Sequence, residues 1–175
     1  VQLTVFENEK KIYTDFGEML FTHFGVSGPM VLSASAHMRD MAPDRYVLYI
    51  DWKPALTPEQ VDARLCRELQ ENANSDCGNM LRKLLPQSAI PVFAALAAID
   101  TAQKCHTVTR EQRHALGAVL KHFPVHISGT RPIAEAIITS GGVCVKEVQA
   151  ATMASKLVKG LYFAGELLDV DAYTG

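Results

Sequence analysis

No stretch of this sequence approaches the roughly 20 consecutive apolar residues that a helix needs to cross a bilayer, so no membrane span is expected. Neither sign of charge dominates: 17 Lys and Arg stand against 19 Asp and Glu, a net charge of −2. The basic residues are scattered, which leaves no electrostatic footprint for a nucleic acid, and no such partner is expected. Cys66, Cys77, Cys105 and Cys144 show no CxxC spacing. Zinc needs clustered ligands, and Cys105-His106 alone is a poor start, so no metal is expected. Free thiols in a cytoplasmic protein are the expected reading. Internal repeats, low-complexity tracts and a signal-peptide pattern are also missing.

What is present is enough apolar residue, 48% of 175, to build a core for one domain or two small ones. Two changes of period divide the chain. Residues 1–55 are strand-rich: Val1, Leu3 and Val5 alternate with Gln2 and Thr4, and KKIYTDF and RYVLYIDW share the β-branched and aromatic character of strands. Between them, Ser27-Gly28-Pro29 reads as a helix start with Ser27 as cap. Residues 56–122 turn helical. Thr57-Pro58-Glu59-Gln60 and Thr109-Arg110-Glu111-Gln112 are capping boxes, and NMLRKLLP and SAIPVFAALAAI predict two short helices between the capped ones. Strand character returns over 123–150 with VHISG and EAIITSGGVCVKEV, where Gly141-Gly142 marks a turn or bulge. The expected fold class is α+β: a small β-barrel or curved sheet with an inserted helical subdomain.

Residues 151–175 read differently. Leu161, Tyr162, Phe163 and Ala164 form an apolar run with no polar face, the pattern of a parallel strand buried on both sides. It stops at Gly165-Glu166. Ligands in open α/β sheets sit outside the carboxyl ends of strands, where a side-chain-free residue followed by a carboxylate is useful. Asp169, Asp171 and Thr174 follow, and the chain stops at Gly175, where a phosphate-binding helix is expected to start. A piece of a larger protein is the expected reading.

Three segments together, GEMLFTHFGVSGPMVL (17–32), AIITSGGVCVKEV (136–148) and TMASKLVKGLYFAGELLDVDAYTG (152–175), resemble the aminoacetone oxidase and BaiN-like family of FAD-dependent flavoproteins. The resemblance covers nearly the whole chain and is strongest at its ends. It implies a β-barrel and helical insert, with a return through GLYFAGE to the FAD-binding domain. It also implies that the glycine-rich fingerprint for the FAD pyrophosphate lies outside these residues. The piece alone is therefore expected to hold FAD poorly and to be inactive, and its partner is the rest of the FAD-binding domain. Gly165 and Glu166 resemble the contact to the ribityl or pyrophosphate part of FAD, Thr174 and Gly175 the approach to the flavin-side helix. Thr139, Gly141 and Gly142 match a loop near the isoalloxazine. His23 and Ser27 are the candidates for the substrate side.

Each residue also has a plainer reading. Gly25-Val26-Ser27-Gly28-Pro29 superficially follows the GxSxG nucleophile elbow, but Pro29 replaces the second Gly, so helix capping is favoured over a nucleophile. His23 fits loop packing as well as proton transfer. No catalytic residue is assigned. Two functions stay open: the substrate-side part of an FAD-dependent oxidoreductase, with NADH, NADPH or oxygen as its redox partner, or a binding module that mediates dimerisation without a part in chemistry. Tyr162 and Phe163 are expected to be exposed or covered by self-association.

Overall fold

A computed structural model describes residues 1–137 and 139–170. Four antiparallel strands form its main sheet: β1 (Gln2–Glu7), β2 (Lys10–Phe16), β5 (Tyr46–Asp51) and β6 (Phe123–Ile127), in the order β2-β1-β5-β6. Between β2 and β5 lie a short hairpin, β3 (Leu20–Thr22) and β4 (Gly25–Ser27), and helix α1 (Pro29–Ser35). The period-2 pattern sets the register. Leu3 faces Ile50 and Val5 faces Leu48, and all four are fully buried. Met30, Val31 and Ala34 of α1 close over that face. A slip of β1 by one residue would turn Leu3 and Val5 away from this core, so the register is strongly held.

Four helices fill the connection between β5 and β6: α2 (Pro58–Glu71), α3 (Cys77–Leu81), α4 (Ile90–Leu96) and α5 (Arg110–Lys121). Both capping boxes form: the Thr57 and Thr109 hydroxyls accept from the Gln60 and Gln112 amides, and the two Gln side chains accept in return. Each box satisfies amides that a helix start would otherwise leave bare. Val61, Leu65, Leu116 and Leu120 meet Met80, Leu81 and Phe93 in a second core. Trp52 and Phe123 pack against both cores. Lys121 locks the joint. Its ammonium reaches Asp51 Oδ2 at 2.5 Å and the Lys53 and Leu56 carbonyls at 3.1 and 2.6 Å.

The α+β architecture with a helical insertion is therefore as expected, and among the described residues the sheet is open rather than closed into a barrel. Three local expectations are corrected. Ser27 ends β4 and does not cap α1; Gly28 holds the N-cap position with no side-chain bond. The described residues of 136–148 do not form a strand pair. They hold bends, an isolated bridge at Val143 and a single 3-10 turn at Val145–Glu147, and Val148 opens a two-residue strand β7 (Val148–Gln149) that pairs with β8 (Ala154–Ser155). Leu161–Ala164 join no parallel sheet: Tyr162 makes one antiparallel bridge to Ala154 and stays 66% exposed. A strand buried on both faces needs neighbours on both edges, and the described residues supply one edge only, at Met153–Ser155.

Candidate functional site

Two separate constructions hold the residues singled out by the sequence. The first is the β3–β4 hairpin. Leu20 pairs with Ser27, Phe21 with Val26 and Thr22 with Gly25, which leaves His23 and Phe24 at the tip. The Thr22 hydroxyl donates to the Gly25 carbonyl at 3.1 Å and closes the turn. Behind it, Gly28 has φ 101°, and a Cβ there would sit 3.1 Å from the Met19 backbone. Only glycine satisfies both demands at that corner. The hairpin carries its apolar side chains outward: Leu20, Phe21 and Phe24 are all large and exposed. Phe21 stacks on Trp52 at 5.6 Å, so the exposed surface is continuous with the joint between the two cores. His23 is exposed, with its ring 5.0 Å from Phe24, edge to face.

Arg131 joins this tip from the far end of the chain. Its guanidinium lies over the Phe24 ring, 4.8 Å from the centroid. Nε and Nη2 donate to the two Glu135 oxygens at 2.9 and 2.7 Å, a bidentate pair. Sequence reasoning passed over Arg131 and Phe24. An Arg followed four residues later by Glu was a signal for the ion pair, but nothing in the pattern connects it to a hairpin a hundred residues earlier.

The second construction joins two glycine loops. The Val143 N–H donates to the Leu167 carbonyl at 2.7 Å, and the Asp169 N–H donates to the Val143 carbonyl at 2.9 Å. This short parallel bridge sets Gly142 and Val143 beside Leu167–Asp169. Gly142 is required by contact: a Cβ there would lie 2.5 Å from the Leu167 oxygen. Gly141 and Gly165 are required by conformation, with φ 101° and 75°, and the space above each is open. Backbone of that kind can approach a ligand closely, with the Glu166 carboxylate next to it as an acceptor. Of the residues marked for cofactor contact, Gly142 lies at this bridge, and Thr139, Gly141, Gly165 and Glu166 lie in the two segments that lead into it. Thr174 and Gly175, with Asp171, lie outside the described residues.

Other chemistry is weakly furnished. Among the described residues no three His, Cys, Asp or Glu side chains come together as a metal site. Cys77 and Cys105 are both buried. Burial, then the neighbouring Cys105, pushes the Cys77 thiol up to about 12, which leaves it protonated and inert as a nucleophile. No helix among the described residues is long and apolar enough to cross a membrane.

An antiparallel sheet with a capped four-helix insertion thus carries an exposed aromatic hairpin and two glycine-bearing segments joined by one bridge. Residues 1–138 match the model of the HI0933-like protein barrel and H2TH domain, and the chain belongs to that family, which lies in the FAD-dependent oxidoreductase superfamily. The chain is 33% identical over 159 residues to a ribosomal RNA dihydrouridine synthase of Escherichia coli K12, covering 90% of this chain and 37% of that protein. It is 26% identical over 167 residues to the ribosomal RNA dihydrouridine synthase of Haemophilus influenzae, covering 91% and 38%. To a 3-dehydro-bile acid delta(4,6)-reductase of Clostridium scindens it is 28% identical over 163 residues, covering 92% and 40%. The chain spans about two fifths of the length of these relatives. Aminoacetone oxidation is not among the activities they are named for.

Proposed function

We propose that this chain is the substrate-side part of an FAD-dependent reductase that saturates a carbon–carbon double bond conjugated to a carbonyl. The observation that carries the reading is the hydrogen-bonded bridge of Val143 to Leu167 and Asp169, which joins the segments that carry Gly141-Gly142 and Gly165-Glu166 and leaves open space at Gly141 and Gly165. Membership in a family of the flavoprotein superfamily supports FAD as that ligand. The relatives support the reaction. A dihydrouridine synthase and a delta(4,6)-reductase of a 3-oxo steroid act on different molecules, but the chemistry is shared. Each adds two hydrogens across a double bond next to a carbonyl.

When bound, the flavin supplies the two electrons of that reduction, and the protein supplies placement. The Gly141, Gly142 and Gly165 backbone would lie along the cofactor, with Glu166 accepting from a hydroxyl of it. Phe21, Phe24 and Leu20 would give the substrate ring an apolar surface that keeps water away.

The test uses the full-length protein. It should carry a flavin absorbance after purification. With dithionite as reductant, it should add two hydrogens to a uracil ring in ribosomal RNA or to a 3-oxo-Δ4,6 steroid, read by mass, and the arm that reacts names the source of the ring. Aminoacetone is the third arm, and its oxidation in place of either reduction would replace this reading with the oxidase one. A protein that purifies without flavin and takes none up would end the flavoprotein reading itself.

A second reading, a docking or dimerisation module, draws on the apolar side chains left in water: Phe16, Leu20, Ile133, Ile137 and Leu157 are each more than 60% exposed. Light scattering on the full-length protein separates them, since a flavin-loaded monomer has no need of it.

A further inference from the structure

We propose that Lys53 and Arg64 form a seat for a phosphate group on the helical insert. This goes beyond the reductase reading and does not rest on it. Lys53 follows β5 and is held by its backbone: its N–H donates to Asp51 Oδ1 at 2.8 Å, and its carbonyl accepts from Lys121 Nζ at 3.1 Å. Arg64 stands in the second turn of α2. The two side chains border one recess of about 10 Å³, room for a single water, over Leu56, Leu84 and Leu120. Its lining is apolar, so Lys53 and Arg64 contribute their aliphatic stems and carry their charges past the rim. The recess is too small to take in a ligand. What it does is set two cations side by side.

Neither cation is satisfied there. Among the described residues the Lys53 ammonium meets no acceptor, and Arg64 meets only the Glu68 carboxylate, with Nε 3.9 Å from Oε1 and no hydrogen bond made. Glu68 is buried and has a second cation, Lys83, with Nζ 3.5 Å from Oε2. The neighbouring Asp51 is already taken by Lys121. Three cations against one carboxylate leave two positive charges in excess, in a chain whose net charge is −2. Burial, then the Arg64 charge, pushes the Lys53 pKa below the usual lysine range, the mark of a cation without a counter-charge. An oxyanion between the two heads offsets both effects. Phosphate suits the place because its charge approaches the excess. Its several oxygens can also accept from an arginine fork and an ammonium at once. Such a group comes either as a free or small-molecule phosphate or in the backbone of an RNA.

The probes are inorganic phosphate and a single-stranded oligouridylate, added to the full-length protein at low salt and followed by calorimetry. Wild type should bind phosphate at millimolar concentrations or below. Lys53→Gln and Arg64→Gln should each weaken it about tenfold, the worth of one charge-assisted hydrogen bond. Lys53→Arg keeps the charge and should recover most of the loss. Lys11→Gln removes the same charge from an exposed position on β2 and should change nothing. Urea midpoints without phosphate show that each variant is folded. The oligonucleotide assigns the source. If both variants weaken it as well and phosphate displaces it, the seat holds an RNA backbone. If its affinity is unchanged while phosphate binding is lost, the seat holds a free or small-molecule phosphate. Either result upholds the seat. Equal phosphate affinity in wild type and both variants overturns the inference, and so does an equal loss in Lys11→Gln. Acetate bound as tightly as phosphate, or a wild type that takes up no phosphate at millimolar concentrations, overturns it too.

Discussion

The chain before Ile127 and the chain after it obey different physics. Of the large apolar residues fully inside the molecule, every one up to Leu120 belongs to one of two cores, and past it only Val148 is buried among the described residues. Ile133, Ile137, Leu157, Leu161, Tyr162, Leu167 and Val170 are all exposed. Both regions are apolar in sequence, so the difference is not composition. The first region finds its partners within itself. The second presents side chains that find no cover among the described residues, which agrees with a chain that spans about two fifths of its relatives.

The sharpest way to break that comparison is to delete equal side chains from the two regions. Leu116 is 1% exposed between α2 and α5, and Leu157 is 71% exposed. Leu116→Ala should cost about 2–5 kcal/mol, the transfer energy plus the cavity left in a packed core. Leu157→Ala should fall within about 0.5 kcal/mol of wild type. Urea denaturation of this chain measures both. Equal losses would mean that the return segment has a core after all.

Legibility in the sequence divides along the same line. The alternation of Leu3 and Val5, the two threonine caps and the Leu65 and Leu116 stripes are local signals, and local geometry answered them. The Leu161–Ala164 run also carried a local signal, for a buried strand, but a strand exists only through its neighbours. The candidate site follows the same rule. The glycines at 141, 142 and 165 stood out because their backbone roles are intrinsic. That Gly142 touches Leu167, or that Arg131 covers Phe24, depends on how distant segments return, and no period encodes it.

A smaller effect tests the joint between the glycine loops. Gly142→Ala places a methyl 2.5 Å from the Leu167 oxygen, so the bridge must open or shift. Amide exchange at Val143 and Asp169 should accelerate, with a local cost of about 1–3 kcal/mol for the strained backbone. Amides of β1 and β5 should be unaffected. Gly141→Ala meets open space and should cost only its left-handed φ, about 1 kcal/mol. If both variants exchange alike, the contact with Leu167 is not what holds the loops.

In the helical insert, Thr109→Ala removes the oxygen that accepts from the Gln112 amide at the start of α5. The loss should be about 1 kcal/mol, in the range of N-cap deletions. Thr109→Ser keeps the oxygen and should recover most of it. Thr57→Ala, at the same place in α2, should match it, since the two boxes are built alike. A difference well beyond this between them would show that one helix start is held by its tertiary contacts instead.

The smallest effect is electrostatic and depends on pH. Asp62 of α2 accepts from Arg113 of α5 through both oxygens, at 2.7 and 3.2 Å, and ties the two longest helices across the insert. The hydrogen bond from Arg113 holds the Asp62 carboxyl below the usual aspartate range. A carboxylate with a depressed folded pKa contributes stability that is full above its unfolded value, about 3.9, and is lost as pH falls through the folded value. Asp62 is 37% exposed, so solvent screens the pair and the expected contribution is under about 1 kcal/mol. Asp62→Asn should therefore lower stability slightly at pH 7. The gap to wild type should close as pH drops below about 4, where the wild-type carboxylate is protonated too. Salt should shrink the gap at pH 7, as it does for exposed pairs. A gap that persists unchanged at low pH would show that Asp62 acts through packing and hydrogen bonding rather than through its charge.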